Sequence, residues 1–196
     1  SFSDPTLHYL YKTMVETVSS AEFLYTRSKT ISSRVEYPQN EFSRRLKTIA
    51  ELIHANINTK VNYLSLSGFD THVNQENQHQ RLLNIYSEGI SAFVNDLGDH
   101  RMKDVVIMTF SEFGRRVAQN ASGGTDHGTA NNVFVISGAL RKKGFLNSTP
   151  DLSKLDQGDL IHQLDFRSIY ATLLNKLLEV PSEKILKGPF QVLDFI

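Results

Sequence analysis

Three short segments of this chain collect the residue types that do chemistry: Gly68-Phe-Asp-Thr-His72, Thr109-Phe-Ser-Glu-Phe-Gly-Arg-Arg116 and Thr125-Asp-His-Gly-Thr129. Asp70 and His72 are two residues apart, so in an extended backbone both side chains point the same way and can face one ion. Asp126 and His127 are adjacent and diverge if extended; they converge only in a turn, which Gly123, Gly124 and Gly128 make accessible. The chain has no cysteine, so a divalent cation would be held by carboxylate oxygen and imidazole nitrogen alone. Asp70, His72, Asp126 and His127 are therefore candidate ligands of one shared centre. Glu112 is either a further ligand or general base, or an ordinary exposed acid pairing with Arg115 or Arg116. Those two arginines either grip a phosphate or sulfate or form a solvated basic pair.

The remaining histidines fit blander roles. His54 and His100 fall near helix ends, His8 and His79 fit solvent-facing helical positions, and His162 lies in a polar approach to the last helix, where it is a weaker ligand candidate. Ser111, Thr71 and Thr125 lie near the candidate ligands, yet nothing in the sequence activates them as nucleophiles, and capping or turn roles account for them.

These residues need a scaffold, and the composition permits one. At 196 residues and 40% hydrophobic content the chain can bury a core and is expected to form a single domain over 1–196. Twenty-one basic residues balance 21 acidic ones, so no bulk charge draws it to nucleic acid or an anionic membrane, and any anion affinity is local. No apolar run approaches the roughly 20 residues of a membrane span, and Ser1–Thr6 lacks the basic-then-apolar pattern of a secretion signal.

Asp4-Pro5 predicts a helix start, continued by Leu7, Leu10, Tyr11, Met14, Val18 and Ala21. Phe42, Leu46, Ile49, Ala50 and Ile53 predict a second helix, separated from the first near Pro38. Val61–Ser67 reads as a strand closed by Gly68, and Leu82, Leu83, Tyr86, Ile90, Phe93, Val94 and Leu97 as a third helix ending at Gly98. Asp104–Thr109 and Val133–Ser137 read as strands buried on both faces, separated by a polar loop, Ser111–Asn132, long enough to be functional. A last helix runs from Asp165 toward Pro181. Strand, helix, strand predicts a parallel crossover and an α/β layer fold, with both Asp/His pairs beyond strand ends.

Together, Gly68-Phe-Asp-Thr-His72, Ser111-Glu-Phe-Gly-Arg115, Thr125-Asp-His-Gly128 and Asp165-Phe-Arg-Ser-Ile-Tyr-Ala-Thr-Leu-Leu174 resemble the exported bacterial family known as domain of unknown function 1501. The resemblance runs from about Glu41 to Leu178 and corresponds to the C-terminal half of that family's usual length. The family is in turn similar to the alkaline phosphatase and sulfatase superfamily. That similarity implies a three-layer α/β/α fold with a mostly parallel sheet, and one or two divalent metals at strand ends.

By motif order, the resemblance makes Asp70 and His72 the opening metal pair and His127 the residue that closes the first site. Glu112 then stands where the second site's acid belongs and Phe113 where its histidine belongs. It implies an exported, periplasmic protein, and a hydrolase ancestry whose nucleophile would lie in an upstream half. The expected function is a metal-binding, hydrolase-like domain acting on phosphate or sulfate esters of small molecules or saccharides, with zinc, manganese, calcium and magnesium undistinguished. The alternative is a non-catalytic domain of the same fold that binds an anion or glycan.

Overall fold

The computed structural model describes residues 4–28 and 31–196. In chain order it forms α1 (Pro5–Ser28), α2 (Glu41–His54), α3 (Gln75–Met102), β1 (Ile107–Thr109), β2 (Gly114–Arg115), β3 (His127–Gly128), β4 (Phe134–Ile136), β5 (Leu155–Asp156), β6 (Asp159–Leu160), α4 (Phe166–Lys176) and α5 (Ser182–Leu186). Packing divides the chain into two compact units, Ser1–Leu66 with Ile85–Leu97, and Ser67–Asn84 with Gly98–Ile196. No helix among the described residues is long and apolar enough to cross a membrane.

In the first unit, the Asp4 carboxylate caps α1 by accepting from the Thr6 and Leu7 amides, as the Asp-Pro signal predicts. The predicted face of α1 stays exposed, however, with Leu7, Leu10, Tyr11, Met14 and Val18 all open to solvent. The core is built by α2 and the middle of α3. Asn40 caps α2 through the Ser43 amide, and Phe42, Leu46 and Ala50, spaced four apart, are buried with Ile90, Phe93 and Leu97. Gly89 lets the helices approach, since a Cβ there would stand 3.0 Å from both the Phe42 ring and Ser43 Oγ.

The second unit contains the six strands, and here the expected layer architecture does not form. Each sheet is a two-stranded antiparallel ribbon: β1 with β4, β2 with β3, and β5 with β6. A three-layer α/β/α arrangement on a mostly parallel sheet is absent from the described residues. The physical reason lies in the connections. Parallel pairing needs a crossover that returns the chain to the end of the sheet where the first strand began. Between Thr109 and Phe134 the chain instead reverses through the β2–β3 ribbon, so the two apolar runs meet antiparallel, with Thr109 opposite Phe134. They are also shorter and less buried than strands covered on both faces, and Phe134 is 55% exposed.

Among the described residues, Val61–Ser67, expected as a strand, joins no ladder. Its alternation is real, with Leu64 and Leu66 half-buried while Val61 and Tyr63 are exposed, but a strand is defined by a paired neighbour and none accompanies it. The C-terminal elements hold closer to expectation. Asp165 caps α4 by accepting from the Arg167 amide, and Arg167 holds the Asp165 carboxyl down at about 2. α4 buries the small side chains of Ser168, Ala171 and Thr172 around Ile169, and Thr172 Oγ1 accepts the Leu193 amide, which fastens the C-terminal segment to the helix.

α3 is not one uninterrupted helix. Gly98 has φ 62° and ψ 173°, a region that costs a residue with a Cβ about 1–3 kcal/mol, although a Cβ there would meet nothing within 4 Å. Gly98→Ala is therefore expected to destabilise the protein by about 1–3 kcal/mol in chemical denaturation. In a continuous helix the same change would stabilise by roughly 0.5–1 kcal/mol, so the sign of the shift tests the break.

Candidate metal centre

The first half of the centre is the segment that leaves Gly68, whose φ of 105° turns the chain. From Phe69 to His72 the backbone belongs to no helix or ladder, and its side chains alternate. Thr71 points inward and is buried, while Asp70 and His72 on either side of it face solvent. Thr71 anchors the segment: its Oγ1 lies 2.9 Å from His79 Nε2, and the Gln75 side-chain Nε2 donates to the Thr71 carbonyl at 3.2 Å. The Phe69 ring packs edge-on against His79 with centroids 5.6 Å apart.

The second half is the β2–β3 ribbon, in which Gly114 is opposite Gly128 and Arg115 opposite His127. Glycine is required on both sides. A Cβ on Gly114 would collide with the Ala130 carbonyl oxygen, and one on Gly128 would lie 2.7 Å from the Arg115 carbonyl group. The loop between the strands is closed by Asn120, whose side-chain oxygen accepts from the Ser122 and Gly124 amides.

Several bonds dock this ribbon onto the 69–75 segment. Asn120 Nδ2 donates to the His72 carbonyl at 3.1 Å, the Asn74 and Gln75 amides at the start of α3 donate to Ser122 and Gly123, and Thr125 Oγ1 donates to Gln75 Oε1. Gly124 lies so close to His72 that a Cβ would be 2.6 Å from its carbonyl carbon. Arg115 completes the junction by donating from Nη1 to the Thr125 carbonyl at 2.6 Å and from Nη2 to the Phe69 carbonyl.

This docking brings Asp70, His72 and His127 together, with one ligand atom from each lying within 4.8 Å of the others. His127 Nε2 is 2.7 Å from Asp70 Oδ1, and His72 Nδ1 is 3.5 Å from the same oxygen. All three side chains are accessible, at 65%, 45% and 44% for Asp70, His72 and His127. Three donors around a divalent ion at 2.0–2.2 Å stand roughly 3.4 Å apart in tetrahedral geometry. The group thus has the chemistry and approximate spacing to hold a metal, with small side-chain adjustments and room for a further ligand.

The other expected site residues lie elsewhere in the arrangement. Asp126 and Glu112 are exposed and outside the three-residue group; the Asp126 carbonyl accepts the Arg116 amide in the ribbon. Arg115 spends its donors on carbonyls, and Arg116 pairs with Asp159 at 3.2 Å and with the Gln157 carbonyl. His162 is exposed and not in the group, and His54 pairs with Asp96 at 3.4 Å. The three candidate hydroxyls are all engaged: Ser111 donates to the Phe113 carbonyl, Thr125 donates to Gln75, and Thr71 is held by His79.

His79, Asn120 and Phe113, none of them expected to position the ligands, organise the centre. His79 is half-buried rather than solvent-facing, and its place one helical turn past Gln75 was the available signal. Asn120, four residues before Gly124, carries the side chain expected to bridge a tight turn. Phe113 stacks on His127 with ring centroids 4.0 Å apart and planes 10° from parallel. No linear signal announces that contact, because it depends on the ribbon register.

The His127 hydrogen bond, reinforced by the charges of His127, His72 and Arg115, holds the Asp70 carboxyl below the usual aspartate range. Because the folded-state value is the lower one, any stabilisation from this contact is complete above about pH 4 and is lost only as pH falls through the depressed value. His127→Ala is expected to raise the Asp70 titration midpoint toward about 3.9, measured by carboxyl carbon NMR of the metal-free protein. An unchanged midpoint would contradict the pairing.

No curated protein and no solved structure matches the chain. The family model described as protein of unknown function (DUF1501) matches residues 26–189, which takes in both halves of the centre and α4. The chain therefore belongs to the DUF1501 family of proteins of unknown function.

Proposed function

We propose that Asp70, His72 and His127 bind one divalent metal ion, and that the chain is a metal-dependent, hydrolase-like domain acting on phosphate or sulfate esters. The observation that carries the metal reading is the convergence of one carboxylate and two imidazoles from segments more than 50 residues apart. The donor set also narrows the ion. Calcium and magnesium favour all-oxygen shells, whereas two imidazoles and one carboxylate suit zinc and the neighbouring transition ions.

A bound ion supplies Lewis-acid polarisation and a more acidic water, which requires no protein nucleophile. That matters here because Ser111, Thr71 and Thr125 are each tied into the scaffold. Asp70 supplies the negative charge that offsets the ion, and the two imidazoles complete a three-ligand set of the kind that leaves a coordination position open. Three protein ligands plus an open position characterise catalytic rather than structural zinc sites.

The ester class rests on the motif order shared with the alkaline phosphatase and sulfatase superfamily, and on nothing in the sheet architecture. The same resemblance supports an exported, periplasmic location. The engaged hydroxyls also favour a second reading, in which the centre binds an anion or glycan without turnover.

Zinc content measured by elemental analysis is expected to be about one ion per chain in the wild type and near background in Asp70→Ala and His127→Ala. Equal content in all three would falsify the site. With zinc loaded, generic aryl phosphates or sulfates are expected to turn over and to stop doing so on chelation. Calorimetric binding of sulfated saccharides without turnover selects the second reading.

A further inference from the structure

Phe113 cannot ligate a metal, yet it makes the closest ring contact in the centre. Its ring lies 4.0 Å from the His127 ring at an interplanar angle of 10°. The placement follows from register. Arg115 is directly opposite His127, so Phe113, two residues before Arg115, shares that face of the ribbon and meets His127 diagonally. The backbone beneath the ring is held, since the Phe113 carbonyl accepts from Ser111 Oγ at 3.0 Å and from Asn131 Nδ2 at 2.8 Å. The Arg115 guanidinium, fixed by the Phe69 and Thr125 carbonyls, stands 5.0 Å from the Phe113 ring centre. Little freedom remains for the phenyl group.

We propose that Phe113 is a positioning residue that fixes the His127 imidazole for metal binding and favours its metal-bound form. The inference rests on the one-ion reading of the cluster. His127 is 44% exposed; its ring also lies 5.0 Å from the His72 ring, and its hydrogen bond to Asp70 must open when Nε2 takes an ion. The stack survives that exchange. A metal approaches imidazole nitrogen in the plane of the ring, whereas Phe113 covers the face, so the two do not compete. Coordination to a cation also withdraws electrons from imidazole, and an electron-poor ring sits better against the negative face of a phenyl group. An interaction that strengthens on metal binding raises metal affinity by the same factor.

The test uses the full chain with cobalt(II) as a spectroscopic stand-in, in the wild type, Phe113→Leu and Phe113→Tyr; Phe113→Met replaces the leucine variant if that one does not fold. Calorimetry is expected to show wild-type affinity in the tyrosine variant and a loss of about tenfold in the leucine variant, in line with other residues that orient metal-binding histidines. The cobalt visible spectrum is expected to change in the leucine variant only. In the metal-free proteins, the His127 ring-proton resonance is expected to move downfield in the leucine variant as the ring current disappears, a change that a general loss of stability does not produce.

Wild-type affinity and spectrum in Phe113→Leu would overturn the role of Phe113 and leave the metal site standing. Equal defects in the tyrosine and leucine variants would overturn it as well. Failure of the wild type itself to bind cobalt or zinc removes the one-ion reading and the positioning role with it.

Discussion

One guanidinium joins the two pieces of chain on which the candidate centre depends. Arg115 donates to the carbonyl immediately before Asp70 and to the carbonyl two residues before His127, so the separation of the two ligand-bearing segments is set by the span of a rigid planar fork. Asn120 repeats the device on the other side by linking the loop to the His72 carbonyl, and the bare faces of Gly114, Gly124 and Gly128 remove what would hold the segments apart. These neutral and charge-assisted hydrogen bonds do the assembling. The Asp70 contacts with His72 and His127 are open to solvent, and exposed ion pairs contribute roughly 0–1 kcal/mol, too little to gather two loops. The scaffold thus brings the ligands together, rather than the ligands organising the scaffold.

The division of labour is clear in the alternation along Phe69–His72. The buried Thr71 binds inward to His79, and this leaves Asp70 and His72 turned outward with their oxygen and nitrogen atoms accessible. Across from them, the ribbon register sets His127 beside Arg115 and under Phe113. The contacts that immobilise the centre run through backbone groups, the Thr71–His79 and Thr125–Gln75 side-chain pairs and the Phe113 ring face, so they leave the Asp70, His72 and His127 ligand atoms to the contacts among the three. An ion would have only those contacts to replace.

Much of the centre was legible in the sequence because its signals are local. Asp-x-His spacing predicts shared orientation in any extended backbone, whereas the turn that the flanking glycines make accessible does not bring Asp126 to His127, which lies in β3. The grouping of Asp70 and His72 with His127 was suggested only by motif order, and Asp126 and Glu112, also expected as candidate ligands, lie outside it, since the register Gly114 opposite Gly128 cannot be read from spacing. Helix starts were likewise legible at Asp4 and Asp165, where capping is a matter of two or three residues, whereas the Asn40 cap of α2 came only with the structure. The sheet was not. Apolar runs such as Val105–Thr109 and Val133–Ser137 show that strands exist and leave their direction open, and the direction followed from how the intervening loop doubled back on itself. Val61–Ser67 makes the same point, since its alternating pattern describes a strand surface but supplies no partner.

The proposed metal site requires Asp70, His72 and His127 to form a single inner coordination shell. X-ray absorption at the zinc edge of the zinc-loaded protein tests it most directly. The expected result is a shell with two imidazole nitrogens and carboxylate oxygen at about 2.0–2.2 Å, with the outer-shell scattering characteristic of histidine rings. A shell of oxygen alone, or one unchanged in His127→Ala, would contradict it.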